Sequence, residues 1–464
     1  MKEVDLVIVG AGPGGLGSAI EAAEAGVSVT LLDENPAPGG QIYRQPHNRI
    51  GVLRPWSLGP DPERGRRLLA AFGTIRSKVS HLENAVVWGI FEDRTVVFLR
   101  EGVSHALRFR KLILSTGAYD RPVPFPGWTL PGVLTAGGAQ VLVKSQRVLP
   151  GEKILLAGTG PLLMALACQI IQAGGRVSGI LEAGRMQGWF DLGLGFLAQP
   201  TLLLDAIRYL WSIRKAGVPL LQKRILVEAR GNGRVEKAIV AEVDGNWRPK
   251  PGKEQAFSVD TVCLGYGFIP SVELTRLSGC THRYEPLLGG WVPERDSLME
   301  TSVRGVYAVG DSAGIAGSLA AVEQGRIAGI SAARSLGYLS AEEARRRMEL
   351  PRKRLNRLLP LRRALERISV PRPGLHELAK DDTIVCRCEE ITLREIKEAV
   401  EAGATDMSEV KRATRVGMGL CQGRMCAPAL QEIVAKLRGL PPPSIGFLNP
   451  RPPVRPVPLS ALLP

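Results

Sequence analysis

Asp5-Leu-Val-Ile-Val-Gly-Ala-Gly-Pro-Gly-Gly15 decides the fold. The apolar run Leu6 to Val9 reads as a strand buried on both faces. It passes directly into Gly10-Ala-Gly-Pro-Gly-Gly15, then into an alanine-rich helix reaching about Ala25 and a second strand from Val27 to Leu32. In this strand–turn–helix–strand setting, G-x-G-x-x-G marks a dinucleotide site. Gly10 permits the tight turn, Gly12 admits a pyrophosphate close to the backbone, and Gly15 lets helix and strand pack closely. Pro13 and Gly14 open the helix, whose free N–H groups face the phosphates. Asp33 ends the second strand 23 residues after Gly10, where a carboxylate can accept hydrogen bonds from ribose hydroxyls.

The pattern repeats from Lys153. Ile154-Leu-Leu-Ala157 is a strand, Gly158-Thr-Gly160-Pro161 the turn, Leu162 to Ala173 a helix, and Val177 to Leu181 a strand closed by Glu182. Leu163 replaces the third glycine, so close packing must be arranged differently there, and an empty or altered nucleotide site is the competing reading. Two such units give an α/β chain of the two-domain flavoprotein reductase type. Lys111-Leu-Ile-Leu-Ser-Thr-Gly117 resembles the strand that ends the first half of an FAD domain in that superfamily. Gly305-Val-Tyr-Ala-Val-Gly-Asp311 resembles its later FAD motif, with Gly310 and Asp311 at the flavin; a plain helix N-cap is the other role for Asp311. The expected FAD domain is discontinuous, 1–119 and 264–335, around an NAD(P)-binding-like domain at 120–263. No redox C-x-x-C or C-x4-C pair precedes residue 386, which argues against a thiol–disulfide reductase. Cys168, Cys263 and Cys280 are expected to be buried structural residues.

At 464 residues there is room for about three domains. An apolar fraction of 45% and a charged fraction of 23% suit a globular protein. The apolar stretch Trp189 to Trp211 is interrupted by Asp191, Gln199, Asp205 and Arg208, so it is expected to pack as an amphipathic segment; no membrane span is expected, and a peripheral membrane contact stays open. The strand beginning at Val4 leaves no room for a signal peptide, and the expected compartment is the cytoplasm. The net charge of +15 is uneven: Ala341 to Pro373 holds eleven Lys or Arg against four Glu. Without aromatic residues for base stacking this basic helical linker, 336–380, is not read as a nucleic-acid surface. A solvated face, or a surface for an acidic partner, fits better.

Beyond it lie Cys386-Arg-Cys388 and Cys421-Gln-Gly-Arg-Met-Cys426, a C-x-C and a C-x4-C separated by 32 residues. Four thiolates from two short loops can hold a [2Fe–2S] cluster. Gly417, Gly419 and Gly423 let the second loop bend around sulfur. Arg387, Lys411, Arg412, Arg415 and Arg424 can offset the cluster's negative charge. Structural zinc is the alternative, although its usual C-x2-C pairs are missing. The final stretch, 441–464, is rich in proline and is expected to run extended, either as a disordered tail or as a strap across a partner subunit.

A full-length resemblance is carried by Pro38-Gly-Gly-Gln-Ile-Tyr-Arg44, Thr116-Gly-Ala-Tyr-Asp-Arg-Pro122, Phe125-Pro-Gly-Trp-Thr-Leu-Pro-Gly-Val133, Leu264-Gly-Tyr-Gly-Phe-Ile-Pro270, the cysteine module and the Arg/Pro tail. The chain resembles the A (alpha) subunits of heteromeric FAD-dependent amine and amino-acid dehydrogenases, the group of opine oxidase, hydroxyproline/proline dehydrogenase and hydrogen cyanide synthase. Its residues 381–440 resemble the bacterioferritin-associated-ferredoxin-like [2Fe–2S] domain, in the C-x4-C rather than the C-x2-C form. The resemblance implies FAD contacts at Asp33, Glu34, Gly40, Gln41, Thr116 and Gly117. It implies a D-amino-acid-oxidase-like partner subunit that oxidises a C–N bond, with electrons relayed through flavin and [2Fe–2S] to an external acceptor. It further implies FMN at a subunit interface, and NAD(P) or another adenine nucleotide at Gly158, Gly160 and Glu182. The chain presents no general base of its own, so no catalytic residue is assigned. A self-sufficient NAD(P)H-dependent FAD/[2Fe–2S] reductase and a non-catalytic nucleotide-binding scaffold are the other two readings.

Overall fold

The computed structural model describes residues 2–44, 62–184 and 200–462. The part of the Trp189–Trp211 stretch before residue 200 lies outside them.

The first nucleotide fold is a parallel sheet. Lys2–Val9 sits between Val29–Leu32 and Val103–Leu114, with Val79–Leu82 outside the former and Val306–Ala308 beside the end of the latter. Leu6, Val7 and Ile8 are fully buried, as a central parallel strand covered on both faces requires. The first half of the long strand Val103–Leu114 pairs instead with Thr95–Arg100, which pairs with Val86–Phe91, in an antiparallel meander. Two helices pack against one another through their smallest residues. A Cβ on Gly325 would stand 2.0 Å from the Gly14 carbonyl oxygen, and one on Gly329 would stand 2.4 Å from that of Ser18. Helices Pro13–Glu24 and Ser318–Ser335 therefore touch backbone to backbone, which joins the two distant halves of this fold.

The second fold is a five-stranded parallel sheet in the order Leu220–Gln222, Val177–Glu182, Ile154–Gly158, Thr261–Gly265, Val133–Thr135. The expected boundary at 264 falls inside Thr261–Gly265. The chain crosses between the folds where Ala118–Asp120 pairs antiparallel with Phe268–Pro270. Here Leu163, in place of the third fingerprint glycine, is fully buried, and the space it needs comes from the neighbouring strand. A Cβ on Gly265 would lie 2.9 Å from Leu163 Cδ2. The missing glycine has in effect moved across the interface.

The basic segment forms one helix, Ala341–Ser369, with Pro351 and Pro360 inside it. Ala344 and Met348 are buried in the core of the first fold, and Arg354 pairs with Glu323 at 3.5 Å. The cysteine module follows as a short hairpin, Ile384–Cys386 with Ile391–Thr392, and helices Leu393–Glu401, Met407–Thr414 and Ala427–Arg438. Thr392 and Glu395 form a reciprocal capping box at the first of these helices. Val385, Ile396, Val410, Leu430 and Val434 fill the module's own core.

The tail corrects one expectation. Rather than running loose in solvent, it returns over its own chain. Ile445 is buried in the cysteine module and Val454 in the core of the first fold, where its N–H donates to the Trp88 carbonyl at 2.9 Å. Too few polar groups separate its apolar residues for the segment to stay in solvent once these two cores offer cover.

Candidate functional site

Gly10 has φ +98°, and a Cβ there would lie 2.3 Å from the Ser115 carbonyl oxygen. Gly15 is equally confined, 1.8 Å from the Gly10 carbonyl oxygen. The loop Pro38 to Arg44 closes down on this turn: the Gly39 N–H donates to the Ala11 carbonyl at 2.8 Å, and a Cβ on Gly40 would reach within 2.8 Å of Gly12 Cα. Asp33 is 5% exposed and faces the turn. Its carboxylate accepts from the Ala11 N–H, and from the Asn35 N–H at 2.7 Å. Glu34 points outward and pairs with Arg455 of the tail at 3.1 Å. Gln41 accepts from Arg44 at 2.9 Å.

Thr116 Oγ1 donates to the Ser271 carbonyl at 2.8 Å, and the Ser271 N–H donates to the Gly117 carbonyl at 3.0 Å. After the strand Val306–Ala308, the Gly310 N–H donates to Gln324 Oε1 at 2.9 Å. Asp311 Oδ1 accepts from the N–H groups of Ala316 and Gly317 at 2.9 and 3.0 Å, bracing the turn ahead of the helix Ser318–Ser335; the N-cap of that helix is Gly317, so the plain N-cap role for Asp311 is not the one found. Burial pushes this carboxyl's pKa up against those two donors. Gly10, Asp33, Gly40, Thr116 and Gly310 thus surround the carboxyl ends of one set of parallel strands, the place where open α/β sheets bind ligands. Sequence reasoning missed Lys144. It is buried, donates to the Ile42 carbonyl at 2.6 Å, and is lowered to about 8, chiefly by burial and then by the charge of Arg44. A single lysine in Val141-Leu-Val-Lys-Ser gives no periodic signal that would have found it.

The second glycine turn copies the first in one detail. Glu182 is 1% exposed and accepts from the N–H groups of Gly160 and Gly184 at 3.2 and 3.0 Å, as Asp33 does from Ala11 and Asn35. Burial raises its carboxyl. The mouth of this turn differs. A Cβ on Gly160 would lie 3.1 Å from Ser369 Oγ, and one on Gly267 would lie 3.7 Å from the Ser369 carbonyl oxygen. The end of the long basic helix therefore stands at the turn.

The four module cysteines meet as two pairs. Cys386 faces Cys426, and Cys388 faces Cys421. The thiol of Cys386 is pulled down to about 5, first by a hydrogen bond from Cys426 and then by the N–H groups of Gly417, Glu389 and Cys388. That same bond, with burial, pushes Cys426 well up. Among the described residues no three Cys, His, Asp or Glu side chains crowd one ion-sized point. Tetrahedral zinc needs all four ligands on one ion, whereas two irons can take two thiolates each, so the pairs fit a two-iron cluster better. A Cβ on Gly419 would lie 2.3 Å from Cys388 Cβ, so the two loops approach only because that residue is glycine. Of the five expected counter-charges, Arg415 is engaged by Glu389 at 3.2 Å and Arg412 by Glu409 at 3.9 Å. Arg387 lies over the Trp128 ring. Cys168, Cys263 and Cys280 are buried elsewhere, their thiols raised by burial.

Between the module and the crossing strands lies a cavity of about 130 Å³ whose lining includes Tyr119, Arg121, Arg276, Trp291, Arg424 and Phe447. Arg121 Nε, Arg276 Nη1 and Trp291 Nε1 are buried there without a hydrogen-bond partner. Burial draws Arg276 down to about 9. An acceptor-rich ligand or ordered water in this cavity would satisfy all three donors.

These features define a flavin-type oxidoreductase of two nucleotide folds joined to a small cysteine domain. Residues 4–337 match the pyridine nucleotide-disulphide oxidoreductase family and residues 384–436 the BFD-like [2Fe–2S] binding domain, so FAD and a [2Fe–2S] cluster are the groups the chain is built to hold. More particularly, the chain belongs to the family that includes the opine oxidase A-type subunits and the HcnB subunits of hydrogen cyanide synthase. It is 37% identical to the opine oxidase protein from Rhizobium meliloti, over 99% of this chain and 87% of that one. It is likewise 37% identical to HcnB from Pseudomonas protegens, over 99% and 97%. The alpha subunit of sarcosine oxidase from Corynebacterium sp. is 24% identical over 99% of this chain and 45% of its own length. L-proline dehydrogenase from P. horikoshii shares the fold, with a TM-score of 0.71, 20% identity and coverage of 100% and 80%.

Proposed function

We propose that this chain is the electron-relay subunit of a heteromeric amino-acid or amine dehydrogenase. A D-amino-acid-oxidase-like partner oxidises the C–N bond, and this chain passes the electrons through flavin and [2Fe–2S] to an external acceptor in the cytoplasm. When bound, the flavin exchanges electrons in pairs or singly and the cluster only singly, which suits a relay. The observation that carries the reading is the seat of the cysteine module: Arg424, inside the C-x4-C loop, donates to Tyr119 at 3.0 Å, two residues beyond Gly117 of the flavin pocket. In this reading Gly10, Gly12, Pro13, Gly14, Gly15, Asp33, Glu34, Gly40, Gln41, Thr116, Gly117, Gly310 and Asp311 hold FAD. Cys386, Cys388, Cys421 and Cys426 hold the cluster. The cavity of Arg121, Arg276 and Trp291 is the part of this chain suited to an FMN shared with the partner.

Ser369 favours this reading over an NAD(P)H-dependent reductase. A pyrophosphate laid on Gly158 and Gly160 would have to contend with the carbonyl end of the Ala341–Ser369 helix, the negative end of its dipole. The second fold then keeps a smaller adenine nucleotide or remains a structural element. The test is a spectrum of the anaerobically purified chain with iron and sulfide assays, followed by addition of NADH. Flavin bands with about two irons per chain, unbleached by NADH, are expected. Rapid bleaching by NADH would establish the reductase reading instead, and zinc in place of iron would remove the relay.

A further inference from the structure

Lys144 is a buried ammonium that no carboxylate balances. It is 5% exposed, and among the described residues its hydrogen-bond partners are two main-chain carbonyls, Ile42 at 2.6 Å and Gln41 at 3.4 Å. The lysine belongs to the second nucleotide fold. After the strand Val133–Thr135 and the helix Ala136–Val141, a single π-helical turn, Leu142–Gln146, carries it inward. Turns of that kind are rare and often sit at functional sites. Its acceptors belong to the first fold, so the ammonium crosses between the two. A second, weaker tie does the same: Arg64 of the helix Pro62–Ile75 meets Asp205 of the helix Pro200–Lys215 at 3.7 Å.

An ammonium buried against neutral carbonyls is a poor way to hold two folds together, because an apolar side chain would escape the desolvation cost. What it holds accounts for that cost. Both carbonyls lie in Pro38–Arg44, the loop that closes on the fingerprint turn, where the Gly39 N–H donates to the Ala11 carbonyl and Gly40 stands against Gly12. With both carbonyls drawn to the ammonium, two negative dipole ends are neutralised at the rim of a site for an anionic pyrophosphate. Arg44 ends the loop with a second cation. It donates to Asn35 at 3.1 Å and to Gln41 at 2.9 Å, and its buried Nε has no partner among the described residues.

We propose that Lys144 is a positioning residue for the flavin nucleotide: it holds the loop Pro38–Arg44 closed over Gly12, so that the grip of the first fold on FAD depends on an ammonium supplied by the second. This rests on the reading that the first fold holds FAD.

The experiment removes FAD from the full-length chain and follows its rebinding by flavin fluorescence, at neutral and alkaline pH, in wild type, Lys144→Met and Lys144→Arg. Arg44 is the charged group that faces the ammonium from the loop. The helices packed on its turn, Ala136–Val141 and Pro161–Gln172, bring no charged residue, and their one titratable group is the buried thiol of Cys168. With a pKa of about 8, Lys144 loses its charge on the way to alkaline pH. Wild-type affinity for FAD should therefore fall about tenfold between the two conditions, the low end for a hydrogen bond to a charged group. Lys144→Met should bind FAD about tenfold more weakly at neutral pH and fall no further, although its FAD-free form melts higher than wild type. Lys144→Arg, charged throughout, should bind well at both. Wild-type affinity in Lys144→Met, or the wild-type pH dependence persisting there, overturns the proposal alone. A wild-type chain that takes up no FAD overturns the cofactor reading and the proposal with it.

Discussion

The Arg424 guanidinium is hydrogen-bonded to the Tyr119 hydroxyl, Nε to Oη at 3.0 Å, across 305 residues of sequence. Its side chain is 8% exposed and also meets Glu273 at 3.3 Å, the Cys421 carbonyl at 3.1 Å and the Val454 carbonyl. One residue thus ties the cysteine loop to the strands that cross between the two folds and to the tail.

Arg424→Leu should loosen the module without unfolding the nucleotide folds. Glu273 keeps its hydrogen bonds from Ser271 and Tyr119 but loses its contact with the Arg424 guanidinium, at a cost of about 1.5–3 kcal/mol, the range for a hydrogen bond to a charged group. Hydrogen exchange would show protection falling in Ala427–Arg438 but not in Lys2–Val9. Unchanged protection in both would refute the strut role.

Gly325→Ala should lower both stability and flavin content. The new methyl would meet the Gly14 carbonyl oxygen at 2.0 Å, so the helices must separate, at about 1–3 kcal/mol for an overpacked contact. The checks are the thermal midpoint and the flavin-to-protein absorbance ratio. Gly233→Ala, with nothing near its Cβ, is not a neutral control, because φ there is +72°; Gly73→Ala is the better one.

Ser in place of Cys386 or Cys426 should abolish iron and sulfide binding, since each removes a thiolate from a buried pair. The same change at Cys168, buried away from the module, should leave iron content unaltered. Iron retained in either module variant would contradict the assignment.

Lys144 supplies a pH signature. Its folded pKa, about 8, lies below the ordinary lysine value of 10.5, so the folded state holds fewer protons than the unfolded state between those values. The burial penalty is fully present below about 8 and fades as pH rises toward the unfolded pKa, so this group makes stability rise through that window. Denaturation midpoints at neutral and alkaline pH should therefore converge for wild type and Lys144→Met on the alkaline side, with the variant the more stable at neutral pH. A difference independent of pH would show that the ammonium is not the cause.

Truncation after Pro450 should destabilise the chain rather than release its partner. It removes buried Val454 and the Arg455–Glu34 pair, both contacts within the chain. A lower melting temperature with an intact heteromer on gel filtration is expected.

Much of this was legible in the residues themselves. The strand Leu6–Val9, the fingerprint glycines, the carboxylates Asp33 and Glu182, and the two cysteine pairs announce themselves because their chemistry is local. A tight turn needs glycine within a few residues, and a four-thiolate site shows as two close-spaced cysteine doublets, although which thiol meets which across the two loops was left to the fold. What the tertiary structure alone decided involves partners far apart in the chain. Gly265 makes room for Leu163, Ser369 stands at Gly160, Val454 is buried under Trp88, and Arg424 meets Tyr119. No periodicity encodes such meetings, because each depends on which surfaces the packed sheets bring within hydrogen-bond or van der Waals reach.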